Sequence, residues 1–289
     1  FADKNAGNGK TVTVSGGQLG DGTGLAANYS VNAPASVTAA ITTKALSITG
    51  VSAANKIYDG GTAATLTGGT LSGLVGNETL ALGALTGAFA DKNAGNGKTV
   101  TVSGGQLGDG TGLAANYSVT APASVTAAIT PKALSITGVS AANKIYDGGT
   151  AATLSGGTLS GLVGNETVTL GALTGTFADK NSGSGKTVTV SGGQLGDGTG
   201  LAANYSVSAP ASVTAAITPK ALSITGVSAA NKIYDGGTAA TLTGGTLSGL
   251  VGNETLALGA LTGAFADKNA GNGKTVTVSG GQLGDGTGL

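Results

Sequence analysis

The segment Phe-Ala-Asp-Lys-Asn starts at Phe1 and returns at Phe89, Phe177 and Phe265, a period of 88 residues. A strict internal period constrains a chain more than any other feature, because each copy must fold alike beside a nearly identical neighbour. Residues 1–88 and 89–176 differ at only six positions: Asn32/Thr120, Thr43/Pro131, Thr67/Ser155, Leu80/Val168, Ala81/Thr169 and Ala88/Thr176. All of these swaps are small or polar, or keep a β-compatible shape. Repetition itself, rather than a unique site, is the useful property. A period of 88 is too long for one coil of a solenoid and suits a small independent domain.

Glycine supplies 55 of 289 residues. Such a composition is common in disordered chains, but here the apolar residues alternate, as half-buried strands require. In the copy from Lys132 to Pro219, Leu134 and Ile136 alternate with Ser135 and Thr137. Lys144-Ile145-Tyr146 reads as a second strand, ended by the turn residues Asp147-Gly148-Gly149. Further strands are expected at Ala152–Leu154, Thr158–Val163, Thr167–Leu170, Leu173–Phe177, Lys186–Ser191, Tyr205–Val207 and Ser212–Thr218. Gly171, where the inward face shifts, marks an expected bulge. No segment keeps a 3.6-residue period for three turns. The pattern therefore predicts an all-β chain of tandem 88-residue repeats, each a small Ig-like β-sandwich of about seven to nine strands, with a β-grasp-like repeat as the alternative. At Thr130-Pro131-Lys132 and Thr218-Pro219-Lys220 proline restricts itself and its predecessor to extended geometry. The linkers should be short and stiff, the repeats should form a rod, and few contacts should cross each junction.

Composition excludes several functions. There is no Cys, Met, Trp, His or Arg, and the 14 basic residues are all lysine. Disulfides and thiolate metal sites are ruled out. A net charge of zero with 10% charged residues argues against nucleic acid and against an anionic membrane surface. No apolar run approaches the ~20 residues of a membrane helix. Without histidine, a Ser-His-Asp arrangement cannot form. The chain is read as no enzyme and as needing no cofactor.

The segments ITPKALSITGVSAANKIYDGGTAATL, GLVGNETVTLGALTGTFADKNSGSGKTVTVSG and LAANYSVSAPASVTAAITPK together resemble the YDG-type repeat, kin of the MBG domains. The family's Tyr-Asp-Gly stands at Tyr58-Asp59-Gly60, Tyr146-Asp147-Gly148 and Tyr234-Asp235-Gly236. Its later Asn-Tyr stands at Asn28-Tyr29, Asn116-Tyr117 and Asn204-Tyr205. The resemblance implies a unit from the Lys-Ala-Leu strand to Ala-Ile-Thr-Pro. The chain then divides into a C-terminal half-repeat (1–43), two complete repeats (44–131 and 132–219) and a truncated repeat (220–289). Half-repeats at both ends read as a window onto a longer polymer. The head and tail are also complementary, apart from an overlap between 1–25 and 265–289.

The resemblance implies a filamentous-haemagglutinin-like adhesin or biofilm-matrix protein of Gram-negative bacteria, exported to the cell surface by two-partner secretion. The leading expectation is a structural stalk or fibre region whose partners are neighbouring repeats or further copies of the chain. The alternative is a repeat that itself binds a host glycan or protein, or a bacterial surface ligand. The Tyr-Asp-Gly residues are read as structural: ring in the core, carboxylate bonding its turn, glycine at positive φ. Two chemical readings stand beside this. Asp197, with Asp179, could ligate calcium, although one loop offers a single carboxylate. Lys144 or Lys186 could form an isopeptide bond with Asn204.

Overall fold

A computed structural model describes residues 1–210 and 212–284, so the last residues of the truncated fourth repeat, 285–289, lie outside the described residues. The chain is all-β, with 88-residue repeats built from small sheets; its three described helical turns are of the 3-10 type, at Ala26–Asn28, Ala114–Asn116 and Ala202–Asn204. No helix among the described residues is long and apolar enough to cross a membrane.

The repeat at 44–131 shows how the pattern becomes a fold. Five strands form one sheet in the order Lys56–Ile57, Val125–Thr130, Gly95–Gly104, Leu85–Phe89 and Ala63–Ala64. Three more form a second sheet in the order Tyr117–Thr120, Lys44–Thr49 and Thr70–Ser72. Two of the pairings are parallel: Ile129 opposite Lys56, and Tyr117 opposite Lys44. Both join the first strands of the repeat to its last, so the repeat closes on itself. Alternation sets which residues are buried. Val100 and Val102 are buried on the long strand while Thr99 and Thr101 face solvent, and Leu46, Ile48, Phe89, Ala127 and Ile129 complete the apolar interior.

The same sheet recurs in the next repeat, from Lys144–Ile145 to Val213–Thr218 and the long strand Gly183–Gly192. There Phe177, Val188, Ala215 and Ile217 form the core, with Ala141, Tyr146, Ala152, Leu154 and Val213 packed against it.

Each complete repeat carries twelve strands, more than the seven to nine expected. The surplus comes from short pairings such as Ser140–Ala141 with Leu154–Ser155, which carry too few residues to show a period. The bulge lies between Gly183 and Lys186, not at Gly171. Gly171 instead ends one strand, and its N–H donates to the Gln194 carbonyl at 2.8 Å. Pro131 alone separates the strand ending at Thr130 from the one starting at Lys132.

The described chain forms two compact units that do not follow the repeat boundaries. One comprises Phe1–Leu134, Gly161–Thr169 and Leu195–Val207; the other comprises Ser135–Ser160, Leu170–Gln194 and Ser208–Leu289. The first unit thus holds a whole repeat together with two segments of its successor.

Candidate functional site: a tyrosine dock between repeats

The Tyr-Asp-Gly loop is held by its own repeat. Tyr58 N–H donates to the Thr130 carbonyl at 2.9 Å, extending the parallel pairing by one residue. Asp59 Oδ1 accepts from Gly61 N–H at 2.9 Å and from Lys56 Nζ at 2.7 Å. Lys56 also donates to the Gly61 carbonyl at 2.8 Å, and its ammonium lies 5.5 Å from the centre of the Phe89 ring. These bonds to the charged form hold the Asp59 carboxyl below the usual carboxylate range, the Lys56 bond contributing most. Gly60 has φ of 80°, a conformation that costs any residue with a Cβ.

The ring that this loop presents goes into the following repeat. Tyr58 is 1% exposed, and its hydroxyl donates to Glu166 Oε1, 108 residues later, at 2.7 Å. Lys92 donates to the same oxygen at 2.7 Å. Tyr205 donates to Glu166 Oε2 at 2.7 Å, and its own oxygen accepts from Val163 N–H at 3.1 Å. The Tyr58 and Tyr205 rings meet edge to face, with centroids 5.4 Å apart and planes at 79°. Next to them Asn204, 1% exposed, accepts from Ala94 N–H at 2.8 Å and donates to Asn93 Oδ1 at 3.1 Å. A Cβ on Gly60 would stand 3.0 Å from Val163 Cγ1. The glycine is therefore required both by its own φ and by the approach of the next repeat.

Glu166 sits at the electrostatic centre of this dock. Lys92, Tyr58 and Tyr205 all donate to its carboxylate, and together they hold its pKa down to about 2, Lys92 contributing most. Burial, then the bond to Glu166, pushes the Tyr58 hydroxyl up.

Equivalent contacts recur at each step of the period. Lys4 donates to Glu78 at 3.3 Å and Ala6 N–H to Asn116 Oδ1 at 2.7 Å, while Tyr117 donates to Glu78 at 2.6 Å. Tyr146 donates to Glu254, Lys180 donates to the same carboxylate at 3.2 Å, and a Cβ on Gly148 would stand 2.9 Å from Val251. Burial of the motif tyrosine tracks the extent of the successor. Tyr58, whose successor supplies Tyr205, is fully buried, whereas Tyr146 is half-buried although its own repeat is complete. Tyr234 is 60% exposed, and the sequence contains no residue 108 positions beyond it.

The expectation of few contacts across the junctions is overturned by these bonds, which span 74 to 111 residues of sequence. The structural reading of Tyr58, Tyr146 and Tyr234 placed each ring in the core of its own repeat. For Tyr58 the ring lies in a dock made by the next repeat. Asp59, Asp147 and Asp235 each bond their own turn and a lysine three residues earlier, and Gly60, Gly148 and Gly236 all have positive φ.

Sequence reading missed Glu78, Glu166 and Glu254, Lys92 and Val163. Asn204 was singled out for a different chemistry. The Asp197 carboxylate accepts from Ala202 N–H, and Asp179 accepts from Asn181 N–H and Lys186, so both are engaged in holding loops. Among the described residues no three Asp or Glu side chains cluster as metal ligands would. Lys144 is bonded to Asp147 and Gly149, Lys186 to Asp179, and Asn204 to Asn93 and Ala94.

No protein of curated description and no solved structure matches the chain. A family model, the YDG domain, matches residues 42–127, 130–215 and 218–288. With three consecutive matches that span most of its length, the chain belongs to the YDG domain family.

Proposed function

We propose that this chain is the stalk or fibre region of a secreted bacterial surface adhesin or biofilm-matrix protein, exported by two-partner secretion from a Gram-negative cell. The observation that carries the reading is the burial of Tyr58 against Glu166 and Tyr205 of the following repeat. A dock of this kind fixes each repeat to the next, which a load-bearing or spacing element needs and a string of independent binding modules does not. The single residue between strands at Pro131 supports the same reading. Its partners are then neighbouring repeats of the same type.

Immunoelectron microscopy of the intact cell, with antibody raised against residues 44–219, tests this. Label at regular intervals along filaments outside the cell is the expected result. Label confined to the cell interior would overturn it. A glycan array probed with the chain separates the stalk from a direct adhesion module: specific binding abolished by loop substitutions would favour the latter.

A further inference from the structure

The acceptor half of the dock is present in the first complete repeat without its tyrosine. Tyr117 donates to Glu78 Oε2, and Val75 N–H donates to the Tyr117 hydroxyl at 3.2 Å, as Tyr205, Glu166 and Val163 do one repeat later. Lys4 supplies the ammonium, and Asn5 and Ala6 engage Asn116. No residue of this sequence stands 108 positions before Glu166's equivalent, Glu78. Val75 is accordingly 51% exposed. The donor half is present without its acceptor at the other end. Asp235 bonds Gly237 N–H at 2.9 Å and Lys232 at 2.8 Å, so the loop already holds the docking conformation. A Cβ on Gly236 would meet nothing within 4 Å, and Ile233 and Tyr234 are 91% and 60% exposed.

We infer that the open surface at Val75, Glu78 and Tyr117 takes the Tyr234-Asp235-Gly236 loop of a second copy of this chain, joining copies head to tail. The strands allow it. Residues 220–264 of one copy and 1–43 of the other correspond to 44–88 and 89–131, so together they make one complete repeat. In the free chain Leu261–Phe265 pairs with Val276–Gly280, whereas Gly7–Thr13 pairs with Ser36–Ile41. Residues 265–280 and 1–16 are identical in sequence. Exchange of the tail's own strand for the other copy's head strand therefore costs little and adds the Ser36–Ile41 partner and the tyrosine dock. This is the logic of domain swapping, and because donor and acceptor differ the contact is heterologous and does not close at two copies. The inference rests on the junction geometry and not on where the protein works.

Val75→Arg removes the acceptor and Tyr234→Ala the donor, each at an exposed position. Circular dichroism verifies that both variants keep the wild-type fold. In sedimentation velocity the wild-type chain should grow past dimers as concentration rises. Each variant alone should associate at least about tenfold more weakly, the loss expected for a central anchor. An equimolar mixture of the two should form one-to-one dimers and nothing larger, since only one productive pairing remains. A wild-type chain that stays monomeric, or association that neither substitution changes, would overturn the inference.

Discussion

Tyr58, Glu166 and Gly60 each have a role that another residue type cannot fill. Tyr58→Phe keeps the ring and deletes one charge-assisted hydrogen bond, with an expected cost of about 1.5–3 kcal/mol. Glu166→Gln weakens the same bond, so a double-mutant cycle should give strong coupling between residues 108 apart; additive losses would refute direct contact. The pH dependence has a fixed sign. The Glu166 pKa is lowered from 4.5 to about 2 in the folded chain, so its stabilisation is present above the unfolded value and is lost as pH falls between the two. Thermal midpoints of wild type and Glu166→Gln should therefore differ at neutral pH and converge as pH approaches about 2. Gly60→Ala carries the left-handed backbone penalty of about 1–2 kcal/mol and a contact with Val163. Gly236→Ala, at φ of 79° with no neighbour, carries the first alone, so denaturation should show the larger loss at Gly60.

Strands were legible where side chains alternate over several residues. Val188 and Val190, Leu134 and Ile136, and Ala215 and Ile217 are buried as their spacing requires. Two-residue pairings were not, and neither was the bulge, because glycine at a slip in pattern looks the same whether it ends a strand or kinks one. The polar hairpin loops are held by Lys98 on Asp91 and Lys186 on Asp179, each pair spanning seven residues. Half of each aspartate remains in solvent, so Asp91→Asn should cost under about 1 kcal/mol. Asn204→Ala leaves the Ala94 N–H without its acceptor and should cost about 1–3 kcal/mol. Urea denaturation of the two variants checks this order, and equal losses would contradict it.

The tyrosine dock was not legible because its partners lie 108 residues apart, farther than the period of 88, so a reading of one repeat never places them together. Glu166 within its own copy is one acid among turn residues, and nothing local distinguishes it. The central claim is that the repeat following Tyr58, and not its own repeat alone, makes its burial matter. The chain contains its own control, since Tyr58, Tyr146 and Tyr234 occupy one motif with successors of decreasing extent. Stability measured by denaturation for Tyr58→Ala and Tyr234→Ala is the most direct test. The account predicts a loss of about 3–5 kcal/mol at Tyr58, as for other buried aromatic deletions, and almost none at Tyr234. Equal losses at the two positions would contradict it.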